Sequence, residues 1–257
     1  MSKKILLATL NHNQPGLTDN LVTQWKRDPY VENCEIMVVD NGSSEPVAKS
    51  TTHRLDQNIF FTGGFNVILE YFLAGDYEYL AMFNNDIVFH GYRFLTQAFQ
   101  EIKEYGVDLY TPSVINGSED QCKWKTVWNW GSGKVRRVKY IDDQCPILSR
   151  RMCEAIYPFP QELLLGYGTD FYESIKANRL DYFIGVSDNL TVCHLENQTL
   201  KRDKLTTITK EEYYNLNYSN MVNYFTTSEY AKEYTDLFAY GDKYNYYDEQ
   251  TNILHTK

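Results

Sequence analysis

Asn84-Asn85-Asp86 follows the mostly apolar run Tyr79 to Phe83, and a carboxylate at such a strand end stands where water or a cation can reach it. The two amides before it add neutral oxygens or donors instead of further charge. Hard divalent cations prefer oxygen ligands, usually one or two carboxylates completed by substrate phosphates and waters. A plain turn is the competing reading, because Asn and Asp are favoured turn formers. A second stretch, "LLLGYGTDFYESI" (Leu163 to Ile175), sets Asp170 after a Gly-Tyr-Gly-Thr loop where a helix begins. There it reads either as a helix cap or as a general base at the mouth of a crevice. His194 ends the run "LTVCH", either as a structural histidine or as a second metal ligand beside Asp86. Thr9-Leu10-Asn11 and Asp40-Asn41-Gly42-Ser43 close two further apolar runs, and Gly63-Gly64 in "NIFFTGGFN" offers bare backbone to a ligand just ahead of a helix.

Elements of a definite kind are needed to bring these residues together. Ile5 to Leu10 and Glu35 to Val39 read as buried parallel strands, and Thr18 to Arg27, with Thr18 as N-cap, as the helix between them. Asn66 to Leu73 reads as a helix stopped by Gly75-Asp76, and Tyr79 to Phe83 as the next strand. A helix over Leu95 to Tyr105 and a strand over Asp108 to Val114 follow, then hairpins and loops from Gly117 to Lys139. Helices near Ser149 to Ile156 and Asp170 to Asn178, a strand from Tyr182 to Val192, and two helices near Lys210 to Thr226 and Ser228 to Phe238 complete the pattern. Alternating strands and helices predict a mostly parallel sheet flanked by helices, whose ligands gather at the carboxyl ends of its strands. The three polar strand ends would then line one crevice.

At 257 residues the chain can bury one sizeable core, and its 43% hydrophobic and 23% charged residues are those of a globular protein. The net charge of -9 gives no general attraction to phosphate polymers or anionic membranes, so any basic site must be local. No apolar run approaches the about 18 residues needed to span a bilayer, and "MSKKILLATL" is too short in its apolar part for a signal peptide, which predicts a cytoplasmic protein. Five cysteines, odd in number and without a CxxC pair, read as reduced, buried thiols.

In their order and spacing, "LLATLNHN", "VVDNGSS", "GGFN", "AGDYEYLAMFNND", "YIDDQCPILSRR", "GYGTDF" and "VCH" resemble the family 2 glycosyltransferases, particularly the rhamnosyltransferase-like branch, from about Lys4 to Asn197. The resemblance implies an α/β chain of GT-A fold, a mostly parallel Rossmann-like sheet flanked by helices, with a Tyr-rich C-terminal helical extension. It implies a catalytic domain over 1–200, with a nucleotide-sugar half to about 95 and an acceptor half over 96–200, and the extension over 201–257. Thr9 and Asn11 would contact the nucleotide, Asp40 would accept a hydrogen bond from its base, and Gly64 with Asn66 would lie along the donor, with Asn85 also on the donor side. Asp86 would bind a divalent metal, Mn2+ or Mg2+, clamping the diphosphate of a nucleotide-diphosphate-sugar, with His194 as a further ligand. Asp170 would be the catalytic base of an inverting transfer to an acceptor hydroxyl. Two departures stand out. The family's Asp-x-Asp is Asn84-Asn85-Asp86 here, and Thr169 and Tyr172 stand where further acids would flank the base, leaving Asp170 without an obvious substitute.

The acceptor is read from Lys123 to Tyr140, where Lys123, Lys125, Lys134, Arg136, Arg137 and Lys139 alternate with tryptophans. Cations track phosphates and aromatic faces stack on bases or sugars, so the segment suits a nucleic acid and also a glycan. An amphipathic hairpin with its tryptophans in the core is the structural alternative. A polymeric acceptor follows, with a lean toward hydroxylated bases of phage-type DNA and a nearly level alternative in bacterial surface polysaccharide. A catalytically silent nucleotide-sugar binder is a third reading. The 22 tyrosines, concentrated in stretches such as "EEYYNLNYSNMVNYF", read as packing or as the seam of a homodimer.

Overall fold

The computed structural model describes residues 4–44, 46–116, 125–195, 210–242, 246–248 and 253–255. In chain order the first half contains β1 (Ile5–Asn11), α1 (Pro15–Arg27), β2 (Cys34–Asn41), β3 (His53–Leu55), α2 (Phe60–Ala74), β4 (Tyr79–Met82), β5 (Ile87–Phe89) and α3 (Phe94–Tyr105). The second half adds β6 (Leu109–Asn116), β7 (Val135–Arg137), β8 (Ile147–Ser149), α4 (Arg150–Ile156), α5 (Thr169–Arg179), β9 (Ile184–His194), α6 (Lys210–Thr227), α7 (Ala231–Asp242) and the antiparallel pair β10 (Tyr246–Asp248) and β11 (Ile253–His255).

β1 lies between β2 and β4, parallel to both, and helices cover its faces. A strand so placed meets no water, which is why Ile5 to Ala8 are all apolar and at most 5% exposed. The sheet runs β3-β2-β1-β4-β8-β6-β9-β5, with β7 also paired to β9. It is parallel from β3 to β4 and again between β6 and β9, whereas β8 runs antiparallel to both β4 and β6. The mostly parallel expectation therefore holds, with β8 as an antiparallel splice three residues long and too short to give a periodic signal.

Two helix starts differ from the expected ones. α1 begins at Pro15, whose fixed φ and missing N–H suit a first helical position, so Thr18 lies inside the helix and not at its cap. α2 begins at Phe60, not Asn66, which puts Gly63 and Gly64 inside it. A Cβ on Gly64 would stand 2.7 Å from Leu10 Cδ2, so a larger residue there would make the Leu10 side chain shift. The reading of Gly63-Gly64 as a loop ahead of the helix is corrected accordingly.

The basic, aromatic segment is partly structural. Arg136 is 2% exposed, and its Nε lies 3.0 Å from both oxygens of the buried Asp188, while Nη2 donates to the carbonyls of Thr126 and Trp128. Arg137 pairs with Asp181 at 2.8 Å, and Lys125 stands over the Trp128 ring. Lys123 and Trp124 lie outside the described residues. Asp188 also accepts from the backbone N–H groups of Trp130 and Ser132. Asp188→Ala leaves a buried guanidinium uncompensated, so it should lower the unfolding free energy by about 3–5 kcal/mol, measurable by urea titration.

α6 and α7 fold back over α5. Phe171 meets Tyr234 at 4.9 Å, and Phe225 stacks on Tyr234 at 4.8 Å. The tyrosines thus serve mainly intramolecular packing here, although Tyr218 is 49% exposed. Among the described residues no helix is long and apolar enough to cross a membrane, and Cys34, Cys145, Cys153 and Cys193 form no disulfide, the first three being buried.

Candidate active site

The ends of β1 and β2 lie side by side, with Asn11 opposite Asp40. Asp40 is fully buried and accepts from Asn11 Nδ2 (2.7 Å), Ser43 Oγ (2.7 Å) and the Ser43 N–H (3.1 Å), with Arg54 Nε 3.7 Å away. Asn11 Oδ1 in turn accepts from the Gln14 N–H and the Thr18 hydroxyl, and Thr18 Oγ1 accepts from Asn85 Nδ2 at 3.1 Å. This chain of bonds ties β1 to the turn carrying Asp86. Thr9, Asn11 and Asp40 are all enclosed, at 0% exposure, at the carboxyl ends of β1 and β2. Polar groups nearer the surface are His12, Ser44, Arg54 and Asn58, which carried no separate signal in the sequence. His12 Nδ1 donates to the Asn41 carbonyl at 2.9 Å, leaving Nε2 to accept from Asn13 and Asn58.

Asn84 to Ile87 forms a tight turn closed by the Ile87 N–H to the Asn84 carbonyl, and Asp86 sits in it at 7% exposure. β5 then pairs antiparallel with β9 in the register Ile87 opposite His194. That register brings His194 Nε2 to 3.2 Å from Asp86 Oδ1, so the two expected ligands meet. Among the described residues no group of three or more His, Cys, Asp or Glu converges. One carboxylate and one imidazole fit a divalent cation whose remaining sites go to diphosphate oxygens and water, and do not fit a closed protein cage.

Asp170 lies in the first turn of α5, whose N-cap is Gly168 at φ 93° with no side-chain capping bond. The helix-cap reading of Asp170 is thereby set aside. Its Oδ2 accepts from the Tyr140 hydroxyl and its Oδ1 from the Phe171 N–H at 2.8 Å. Burial, and then the charge of Asp142, push its carboxyl up to about 7, against the opposing bonds from Tyr140 and the backbone. A base poised near neutral pH is suited to accepting a hydroxyl proton.

Asp170 does not stand alone, contrary to the sequence reading. Asp142 and Asp143 come in from the loop before β8, and Glu173 from one turn further along α5. Burial, Asp170 and Asp142 push Asp143 up to about 8, and burial with Asp143 and Asp170 holds Glu173 well above the usual carboxylate range. The Asp-Asp of "YIDDQC" was visible in the sequence, but only the packing of that loop on α5 assigns it here. The same loop reaches the turn that carries Asp86: the Asn84 N–H donates to the Gln144 carbonyl and the Met82 N–H to the Pro146 carbonyl, each at 3.0 Å. Asp86 and Asp170 are thus joined through one short segment.

The Asn66 amide donates to the Phe159 carbonyl (3.2 Å) and accepts from the Phe159 N–H (2.8 Å), so it pins the loop after α4. Gly64, facing Leu10, likewise serves packing. The start of α2 grips the loop before α5, where Thr62 donates through its hydroxyl and its N–H to the carbonyls of Leu163 and Leu164.

No family model matches the sequence, and no curated protein matches it. By structure, the chain is similar to GalNAc-T7 crystallised with UDP, GalNAc and Mn2+, at 13% identity and a TM-score of 0.66, over 91% of this chain and 50% of that one. It is similar also to residues 1–349 of S. aureus TarS with UDP-GlcNAc, at 14% identity and a TM-score of 0.61, over 94% of this chain and 72% of that one. A longer TarS structure gives 14% identity and a TM-score of 0.58, with 44% of its chain covered. This chain therefore spans half the length of the first neighbour. The shared architecture is the GT-A fold of glycosyltransferases, with aromatic-rich C-terminal helices added.

Proposed function

We propose that the protein is an inverting, metal-dependent glycosyltransferase of the family 2 type, moving a sugar from a nucleotide-diphosphate-sugar to an acceptor hydroxyl. The observation that carries this reading is the pairing of Asp86 with His194 at one end of the 140–146 segment and the Tyr140-clamped Asp170 at the other. UDP, a UDP-sugar and Mn2+ in the structural neighbours support the donor and metal.

Asp86 and His194 would hold the cation, which when bound supplies positive charge to the departing diphosphate. Asp170 takes the acceptor's hydroxyl proton as that oxygen attacks the anomeric carbon. The new carbon–oxygen bond forms on the face opposite the leaving group, and the electron pair of the broken bond leaves with the diphosphate. Tyr140 fixes the base in position by its hydrogen bond. Tyr140→Phe removes a bond that favours the charged carboxylate, so the base should ionise at higher pH. We expect the acidic limb of the transfer rate to move up, with a loss of roughly ten-fold at pH 7, the effect of one hydrogen bond to a charged group.

For the acceptor, Arg136 inside an ion pair and Arg137 paired to Asp181 remove two of the six cations counted on for DNA. That favours a hydroxyl-bearing glycan polymer, such as a bacterial surface polysaccharide, over hydroxylated DNA bases. The deciding experiment incubates the protein with UDP-sugars and Mn2+, then seeks a mass increase of one sugar on glycan oligomers and on hydroxymethylated DNA. A thermal-shift screen of nucleoside diphosphates and their sugars, with and without Mn2+, accompanies it. Mn2+-dependent stabilisation by a nucleotide-sugar without hydrolysis or transfer would reduce the protein to a silent binder, and no stabilisation would sink the reading.

A further inference from the structure

We propose that Gln24 of α1 is a positioning residue for the Asp86–His194 pair: its side-chain amide stands in for a strand that β5 lacks, and so holds β5 in the register that brings the two side chains together. Its consequence for a cation rests on the transferase reading, while the hold on β5 does not.

β5 closes one end of the sheet, three residues long, with β9 on one side and no strand among the described residues on the other. The backbone groups of successive strand residues point to opposite sides, and those of Ile87 and Phe89 that face away from β9 meet Gln24. Gln24 Nε2 donates to the Ile87 carbonyl at 3.1 Å, and Gln24 Oε1 accepts from the Phe89 N–H at 2.8 Å. A carbonyl and the N–H two residues on are the pair that one residue of a neighbouring parallel strand would bond, and a glutamine amide offers the same donor and acceptor. Only one orientation of the amide satisfies both, since the carbonyl can only accept and the N–H only donate.

Asp86 lies between two points tied to α1. Before it, Asn85 Nδ2 donates to Thr18 Oγ1 at 3.1 Å, and after it the Ile87 carbonyl is held by Gln24. Its own carbonyl accepts from the Leu195 N–H at 3.1 Å, beside His194. α1 is a firm base for this grip, because its fully buried Trp25, next to Gln24, packs on Phe83 with ring centroids 6.0 Å apart. A three-residue edge strand bonded along one side alone opens locally at small cost. Opening of β5 would carry Asp86 away from His194, whose Nε2 stands 3.2 Å from Asp86 Oδ1. The two side chains come from different strands, so their readiness for a shared cation depends on whatever keeps those strands aligned.

Gln24→Met tests this, since it keeps the length of the side chain and removes both hydrogen bonds. The first measurement needs no ligand and follows amide hydrogen exchange by NMR. In the variant the Phe89 and Leu195 amides should exchange roughly ten-fold faster than in the wild type, with those of β1 and β4 unchanged. A Leu195 amide exchanging as in the wild type would overturn the proposal. So would protection lost equally in β1 and β4, which would make Gln24 a prop of the whole fold. The second measurement titrates Mn2+ into protein with UDP present and reads the free ion by electron paramagnetic resonance. Gln24→Met should bind Mn2+ about ten-fold more weakly. In transfer assays the Mn2+ concentration giving half the maximal rate should rise by the same factor, with a smaller loss of rate at saturating Mn2+. Unchanged Mn2+ affinity in a variant whose Leu195 amide has loosened would also overturn the positioning role. A wild type that binds no Mn2+ beside UDP, with faster exchange in the variant, leaves the hold on β5 standing and removes the metal from the transferase reading instead.

Discussion

Asp170→Asn should lower sugar transfer by about 10²–10⁴-fold while leaving the affinity for the nucleotide-sugar within a few-fold of wild type. The amide keeps the size of the carboxyl and can still accept from Tyr140, so the loop and helix that hold it stay in register. What it cannot do is take the acceptor's proton. A calorimetric titration with UDP-sugar beside a transfer assay separates the two effects. Full transfer by the variant would pass the role of base to Asp142 or Asp143, the acids the packing sets beside it.

The second large effect is expected at Asp86. Asp86→Ala should cost the diphosphate its clamp, which is worth several kcal/mol, or roughly 10²–10³-fold in transfer. Unlike loss of the base, it should also weaken donor binding, because the leaving group and its cation are held together. Chelation of divalent ions in the wild type should reproduce both losses, and added Mn2+ should restore the wild type but not the variant. His194→Ala should give a milder version of the same pattern, since a carboxylate carries the charge and the imidazole does not. Donor affinity indifferent both to chelator and to Asp86→Ala would remove the metal from the account.

These expectations could be written largely from the sequence, and the places where it failed share a cause. Ile5 to Ala8 and Glu35 to Val39 announced buried parallel strands because each carries an unbroken apolar run, and Asp86 and Asp170 stood out because charge interrupted such patterns. Asp143 was invisible as a neighbour of Asp170, since 27 positions of chain separate the two (170 − 143) and no local pattern encodes how a loop crosses a helix, whereas Glu173, three residues on in the same helix, was within reach of a helical reading. The meeting of Asp86 and His194 depends on a three-residue strand, β5, too short to be periodic. Asn66 and Gly64 have structural partners that no local pattern announces. Both look like ligand-facing residues in isolation, but one bonds the Phe159 backbone and the other makes room for Leu10. Arg136 likewise seemed exposed until Asp188, 52 residues on, turned out to neutralise it.

The loop that aims Asp170 is gripped on one side by Thr62 of α2 and on the other by α6. Tyr167 N–H is held by Asn217 Oδ1 at 3.1 Å, Asn217 Nδ2 reaches the Leu165 carbonyl at 3.3 Å, and a Cβ on Gly168 would strike Met221 and Phe225. All three partners belong to α6. The aim of Asp170 is therefore set in part from far along the chain, and α6 acts as a brace for its loop. A fragment ending before residue 210 would keep every residue named in the mechanism and lose the bearing that points one of them at its target.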